Sequence, residues 1–143
     1  MYSHSSKAQL INSRKVYCID TGFLNITSST LTKDDGRKLE NMIFLHLRRN
    51  YSELYYFDNG GECDFVVVKN TNVEMLIQVC YSLNQDNLDR ELNGLVKAMK
   101  FFNCSNGKII TFSEKDKITV EGYSIDVIPA YKFMTSKPLS KIK

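Results

Sequence analysis

Glycine and proline are scarce in this chain, seven and two residues in 143, about half the ~12% typical of globular sequences. That shortage excludes collagen-like repeats, flexible linkers and extended disorder over most of the length, and no internal repeat or low-complexity segment is present. No stretch approaches the ~18 apolar residues of a membrane span, and Met1 to Ser13 (MYSHSSKAQLINS) has no apolar run of the secretory type. A cytoplasmic protein without membrane contact is the expectation. Cys18, Cys63, Cys80 and Cys104 form no CxxC pair, and only His4 and His46 stand ready to help them hold zinc. They read as four reduced thiols, mostly in a core.

Nucleotide and acyl-transfer motifs are missing as well. The one Gly-Lys pair, Gly107-Lys108, has Phe102 where a phosphate-binding loop needs Gly, and Ile109 where it needs Ser or Thr. This chain is not expected to bind ATP by itself. No GxSxG elbow occurs, and a nucleophile needing a histidine base would have to use His46, which sits among apolar helix neighbours and reads as a packed or half-exposed histidine. The formal charge of +3 permits a polyanionic partner without demanding one.

What the chain does have is 43% hydrophobic residues, enough for one domain with a full core. Residues 1–14 read as an arm or linker, 15–135 as the domain and 136–143 as a basic flexible tail. KVYCIDTGFLNI (15–26) begins with alternation and reads as a short strand or extended arm, with Val16 and Cys18 on one side and Tyr17 and Ile19 on the other. Thr32 with Asp35 three residues later has the capping-box form and predicts a helix from about Lys33 to Arg49. LYYFDN, CDFVVVKN and VEMLIQVCY, punctuated by Asn59-Gly60-Gly61 and Thr71-Asn72, predict three antiparallel strands. Residues 86–103 return to helical spacing. GKIITFS adds a fourth strand, and ITVEGYSIDVIPAYKFM adds one or two more about Glu121-Gly122. Apolar residues on both faces of the middle strand imply a sheet covered on both sides, hence an α/β fold.

Three polar residues stand in unusual places. Glu40 shares a helical stripe with Ile43, Phe44 and Leu47, so a carboxylate points to the apolar side of its helix and needs a partner there. Asp64 opens the second strand. Gln78 lies in the third, and by alternation it shares a face with Cys80, so an acid, an amide and a thiol converge beneath Glu40. Each also has an ordinary reading: Asp64 beside a turn, Gln78 as a bonded sheet amide, Glu40 as the partner of Arg37. Arg90-Glu91 reads either as a solvated helix-start pair or as a pair ordering this site. Arg37, Lys38, Arg48, Arg49, Lys108 and the tail lysines are available to phosphates, each contributing little alone.

The segments KVYCIDTGFL, DGRKLENMIFLHLRR, YYFDNGGECDFVVVKN, MLIQVCYSL, RELNGLVKAMKFF, IITF and IDVIPAYKFM, in that order, resemble the C-terminal domain of unknown function carried by many prokaryotic AAA+ ATPases. The resemblance covers about Lys15 to Met134. It implies a restriction-endonuclease-like three-layer α-β-α fold of the PD-(D/E)xK superfamily, with helix-strand-strand-strand-helix-strand-strand order. It also implies ATPase and winged-helix portions of a parent protein as partners.

Carried over residue by residue, Glu40 matches the helix acid and Asp64 the motif Asp. Gln78 stands at the (D/E) position and Cys80 at the Lys position. Glu40, Asp64 and Gln78 would then hold Mg²⁺, oxygen donors suiting a hard cation. Cys80 departs from the pattern, because a neutral thiol offers no ammonium to offset charge on a phosphate. Lys97 on the next helix is the nearest replacement by sequence. The leading expectation is a catalytically degenerate module for nucleic-acid or protein interaction. Its rivals are an active Mg²⁺-dependent DNA endonuclease and a structural domain that mediates self-association.

Overall fold

The computed structural model describes residues 15–19 and 35–136. Within them the elements run α1 (Asp35–Asn50), β1 (Glu53–Asp58), β2 (Glu62–Lys69), β3 (Asn72–Val79), α2 (Leu88–Phe102), β4 (Gly107–Thr111), β5 (Asp116–Val120), β6 (Tyr123–Pro129) and α3 (Ala130–Thr135). The fold is α/β, with a mixed six-stranded sheet in the order β1-β2-β3-β4-β6-β5. Thr32, residues 20–26 and the tail beyond Ser136 lie outside the described residues.

Helix α1 starts on Asp35 and ends with Arg48 and Arg49, each charge complementing the helix pole it sits on. Its Leu39, Ile43 and Leu47, four apart, are buried. Strands β1 to β3 form the expected antiparallel meander. The second turn falls one residue earlier than Thr71-Asn72: Asn70 and Thr71 take positive φ of 50° and 67°, the pair a tight hairpin requires. Helix α2 then crosses over, so β4 lies parallel to β3, and β6 is parallel to β4. Asn103, with φ 50°, ends α2 in the left-handed conformation, and the next amide, Cys104 N, donates to the Met99 carbonyl at 3.0 Å.

Two apolar layers sandwich the sheet. Val66, Val68, Leu76, Ile109 and Ile125 pack against Leu92, Leu95 and Met99 of α2, while Phe65, Val67, Ile77 and Ile110 pack against Ile43 and Leu47 of α1. AYKFM does not continue a strand. β4 ends at Thr111 opposite Pro129, and beyond that point the chain has no ladder partner, so Ala130–Thr135 coils into α3 and sets Phe133 and Met134 against the α1 layer. Residues 15–19 do not join the sheet. No described helix is long and apolar enough to cross a membrane.

Helix α2 meets the sheet backbone directly at Gly94, where a Cβ would come within 2.3 Å of the Glu62 carbonyl oxygen. On an open helix Gly→Ala gains up to ~1 kcal/mol. Here Gly94→Ala should instead destabilise the domain by about 1–3 kcal/mol, the usual cost of overpacking, read as a lower urea midpoint at unchanged slope.

Candidate functional site

Strand β2 carries one residue more than its neighbour allows. Tyr55 pairs with Val66 and Phe57 with Cys63, so β1 advances two residues while β2 advances three. Asp64 and Phe65 therefore share the place opposite Tyr56, a β-bulge. The bulge reverses the alternation on its far side. Cys63 joins the α2 layer together with Val66, and the Asp64 carboxylate joins Phe65 on the α1 side.

On that side it meets the N-terminal segment. Lys15 Nζ lies 2.5 Å from Asp64 Oδ1, 3.0 Å from Glu62 Oε1 and 3.3 Å from Glu40 Oε1. The Tyr17 hydroxyl donates to Glu40 Oε1 at 2.8 Å, and its ring stacks on Phe44 with centroids 4.1 Å apart. Asn41, buried at the heart of α1, clasps Cys18 from both directions. Cys18 N donates to Asn41 Oδ1 at 2.8 Å and Asn41 Nδ2 donates to the Cys18 carbonyl at 3.0 Å. The arm's inward face is thus Lys15 and Tyr17, while Val16 is 91% exposed. Beside this cluster lies a cavity of ≈ 330 Å³, lined among others by Tyr17, Phe44, Tyr56 and Phe65.

The expected convergence of Glu40, Asp64, Gln78 and Cys80 does not form. Glu40 and Asp64 meet across Lys15. Gln78 and Cys80 keep the regular alternation of β3 and face α2, because the bulge lies in β2 and turns Asp64 and Cys63 there without turning the β3 residues. Gln78 still touches Asp64 through its backbone: Asp64 N donates to Gln78 Oε1 at 3.2 Å, and Val79 N donates to Asp64 Oδ2 at 2.8 Å. Its amide nitrogen turns to α2 and donates to Glu91 Oε2 at 2.6 Å. Glu91 is buried, and the exposed Arg90 donates to its other oxygen at 2.6 Å and 3.1 Å. Arg90-Glu91 is thereby a half-buried pair that terminates a polar line through the sheet, not a solvated one. Cys80 is buried beside this line, and burial, reinforced by the Glu91 charge, pushes its thiol up to about 12, which leaves it unreactive at neutral pH.

Lys97 does not replace the motif lysine. Its ammonium donates to the Gly60 carbonyl in the β1–β2 turn. His46 packs edge-on against Phe133, 5.6 Å between centroids, and burial lowers its pKa. Among the described residues no group of three His, Cys, Asp or Glu side chains is arranged to hold a metal ion. Mg²⁺ held by Glu40, Asp64 and Gln78 does not fit this arrangement, because an ammonium already sits between the two carboxylates and the Gln78 oxygen is given to a backbone amide. Lys15, Tyr17, Asn41 and Glu62 are the members sequence reasoning missed. The available signal was the i, i+2 spacing of Lys15 and Tyr17, which puts both on one side of an extended segment.

The charges on the cluster shift its titration. Burial pushes the Asp64 carboxyl up, Lys15 pulls it back and Glu40 pushes it up again, leaving it at about 6. Burial opposes the Lys15 charge, yet Asp64 and Glu40 outweigh it and hold the ammonium above the ordinary lysine range. Burial and then Glu40 likewise raise the Tyr17 hydroxyl. Since the Asp64 pKa is raised on folding, its contribution to stability is full below the unfolded value of 3.8 and is lost as pH rises through about 6. Following the Asp64 carboxyl carbon by NMR should give a midpoint near 6. In Lys15→Met the midpoint should move higher, because the cation that favours ionisation is gone; an unchanged or lower midpoint would contradict the cluster.

No family model matches the chain, and no solved structure matches it. It is similar to the uncharacterized protein MJ1544 of Methanocaldococcus jannaschii, with 39% identity over 140 residues. The match takes in 90% of this chain and 31% of that protein, so the chain spans about a third of the length of the relative it resembles.

Proposed function

We propose that this chain is an accessory domain of a larger ATPase, a catalytically degenerate restriction-endonuclease-like module that serves interaction with nucleic acid. The observation that carries the reading is the separation of the motif positions, with Glu40 and Asp64 on the α1 side and Gln78 and Cys80 facing α2. An acid cluster of Glu40, Glu62 and Asp64 closed on the Lys15 ammonium, with no β3 side-chain oxygen turned into it and no strand lysine, lacks the charge-stabilising set that phosphodiester cleavage requires. The order helix, three-strand meander, crossover helix and parallel fourth strand supports the nuclease-like reading of the fold. The much greater length of the archaeal relative suits an accessory role within a longer protein.

On this reading phosphates would meet a lysine-lined groove elsewhere, in competition with Asp126, which Lys117 also reaches at 3.9 Å. Lys115, Lys117 and Lys132 line a groove of ≈ 540 Å³ with Asp116 and Asp126. Lys108 reaches Asp126 from the other flank at 3.8 Å. Such contacts bind without reading sequence and weaken steeply with salt.

Incubation of the chain with plasmid and linear DNA in Mg²⁺ or Mn²⁺ should give no cleavage above a mock preparation, while DNA binding should appear at low salt and fade as salt rises. The double variant Gln78→Glu/Cys80→Lys should also fail to cleave and should lose stability, because both new charges would enter the α2 layer. Cleavage by the unaltered chain that disappears in Asp64→Ala would establish the endonuclease instead. Absence of binding at low salt would leave the self-association domain as the better account.

A further inference from the structure

Glu62, Asp64 and Glu40 come from the start of β2, its bulge and the first half of α1, and each aims one oxygen at a single point. A primary ammonium has three N–H groups and no acceptor, and three carboxylate oxygens face Lys15 Nζ at 2.5, 3.0 and 3.3 Å. Three N–H groups thus face three charged acceptors. Beside the acids the cavity is lined largely by aromatic rings. The Lys15 ammonium stands 6.0 Å from the centre of the Tyr56 ring, and Phe44 and Phe65 line the same cavity. The aromatic faces suit an alkyl stem and a monovalent cation.

We infer that the Glu40, Glu62 and Asp64 cluster is a binding site for a primary alkylammonium group, with Lys15 as its resident ligand, in place of the divalent-cation site implied by the resemblance to nucleases. The occupant fastens the arm that carries it. Lys15 is followed within three residues by the Tyr17 stack on Phe44 and the paired hydrogen bonds of Cys18 to Asn41, so a filled ammonium site holds residues 15–18 against α1. This goes beyond the interaction reading and does not depend on it.

Chemical rescue in the full chain tests the assignment. Cys63, Cys80 and Cys104 are buried and Cys18 is partly exposed, so the fast phase of thiol labelling at fixed pH reports release of the arm. Lys15→Ala should label about tenfold faster than the parent, consistent with local opening of a segment that leaves the sheet intact, and it should melt at a lower temperature. Propylammonium chloride should restore slow labelling and raise the melting temperature of Lys15→Ala, with no such effect on the parent. Sodium chloride of equal ionic strength and magnesium chloride should not. Glu40→Gln, which leaves the Asp64 to Val79 hydrogen bond untouched, should label faster than the parent and should bring Lys15→Ala below the reach of propylammonium. Unchanged labelling in Lys15→Ala, rescue equal to that of sodium chloride, or rescue by magnesium alone would each overturn the assignment. None of these readouts involves DNA, so this inference and the interaction reading fail separately.

Discussion

One inserted residue in β2 governs the polar architecture of this domain. A strand that alternates without interruption would present Asp64 to the α2 side together with Val66 and Val68. Because Asp64 and Phe65 share the place opposite Tyr56, both turn toward α1, and Cys63 drops into the apolar layer behind. The direction of the Asp64 carboxylate then decides the rest: which helix acid it meets, where a compensating cation must come from, and why the third strand's amide is left facing another way. A bulge costs an interrupted ladder, and here the orphaned backbone is satisfied locally. The Asp64 amide is taken by the Gln78 oxygen, and the Val79 amide by the Asp64 carboxylate.

Two polar sets consequently stand back to back across the sheet, with Asp64 common to both. On the α1 side it is bound to Lys15. Through its backbone amide it continues to Gln78, then to the buried Glu91, and out to Arg90 at the surface. Buried polar groups are tolerable only when every member finds a partner, since an unsatisfied one carries a desolvation penalty of about 1–3 kcal/mol. Glu91 satisfies this by an amide donor on one oxygen, a guanidinium on the other, and a place in the first turn of α2 where the helix dipole favours negative charge. An amide at Gln78 suits this line better than a carboxylate would. A glutamate there would set two acids against each other with no donor between them.

Periodicity made the large elements legible. α1 and α2 follow from apolar residues three and four apart, and the meander follows from alternation broken at Asn59-Gly60-Gly61 and near Thr71. The same reasoning found Glu40, because a charge on an apolar stripe stands out. It misplaced Asp64, since a bulge adds one residue without changing composition and no count of alternating positions reveals it. It carried the last strand into Ala130–Thr135, because the end of β6 is set by the length of β4, a neighbour distant in sequence. It also passed over Lys15. Alternation put Val16 and Cys18 opposite Tyr17 and Ile19 without assigning the inward side, which is set by the surface the arm meets: carboxylates for Lys15 and the Phe44 ring for Tyr17.

The electrostatic demand at Asp64 and Glu40 explains why a lysine is worth burying. Carboxylates brought together across the edge of a core repel one another and lose hydration, and a cation among them relieves that strain. Gln78 and Cys80 of β3 face α2, so no relief comes from that strand. A cation supplied by the arm meets the same demand, and it does so with a covalent tether. The free energy that would otherwise go into holding an ion is spent on fixing residues 15–18 against α1. Neutralisation of the acid cluster and attachment of the arm are therefore one event, and loss of either partner releases the other.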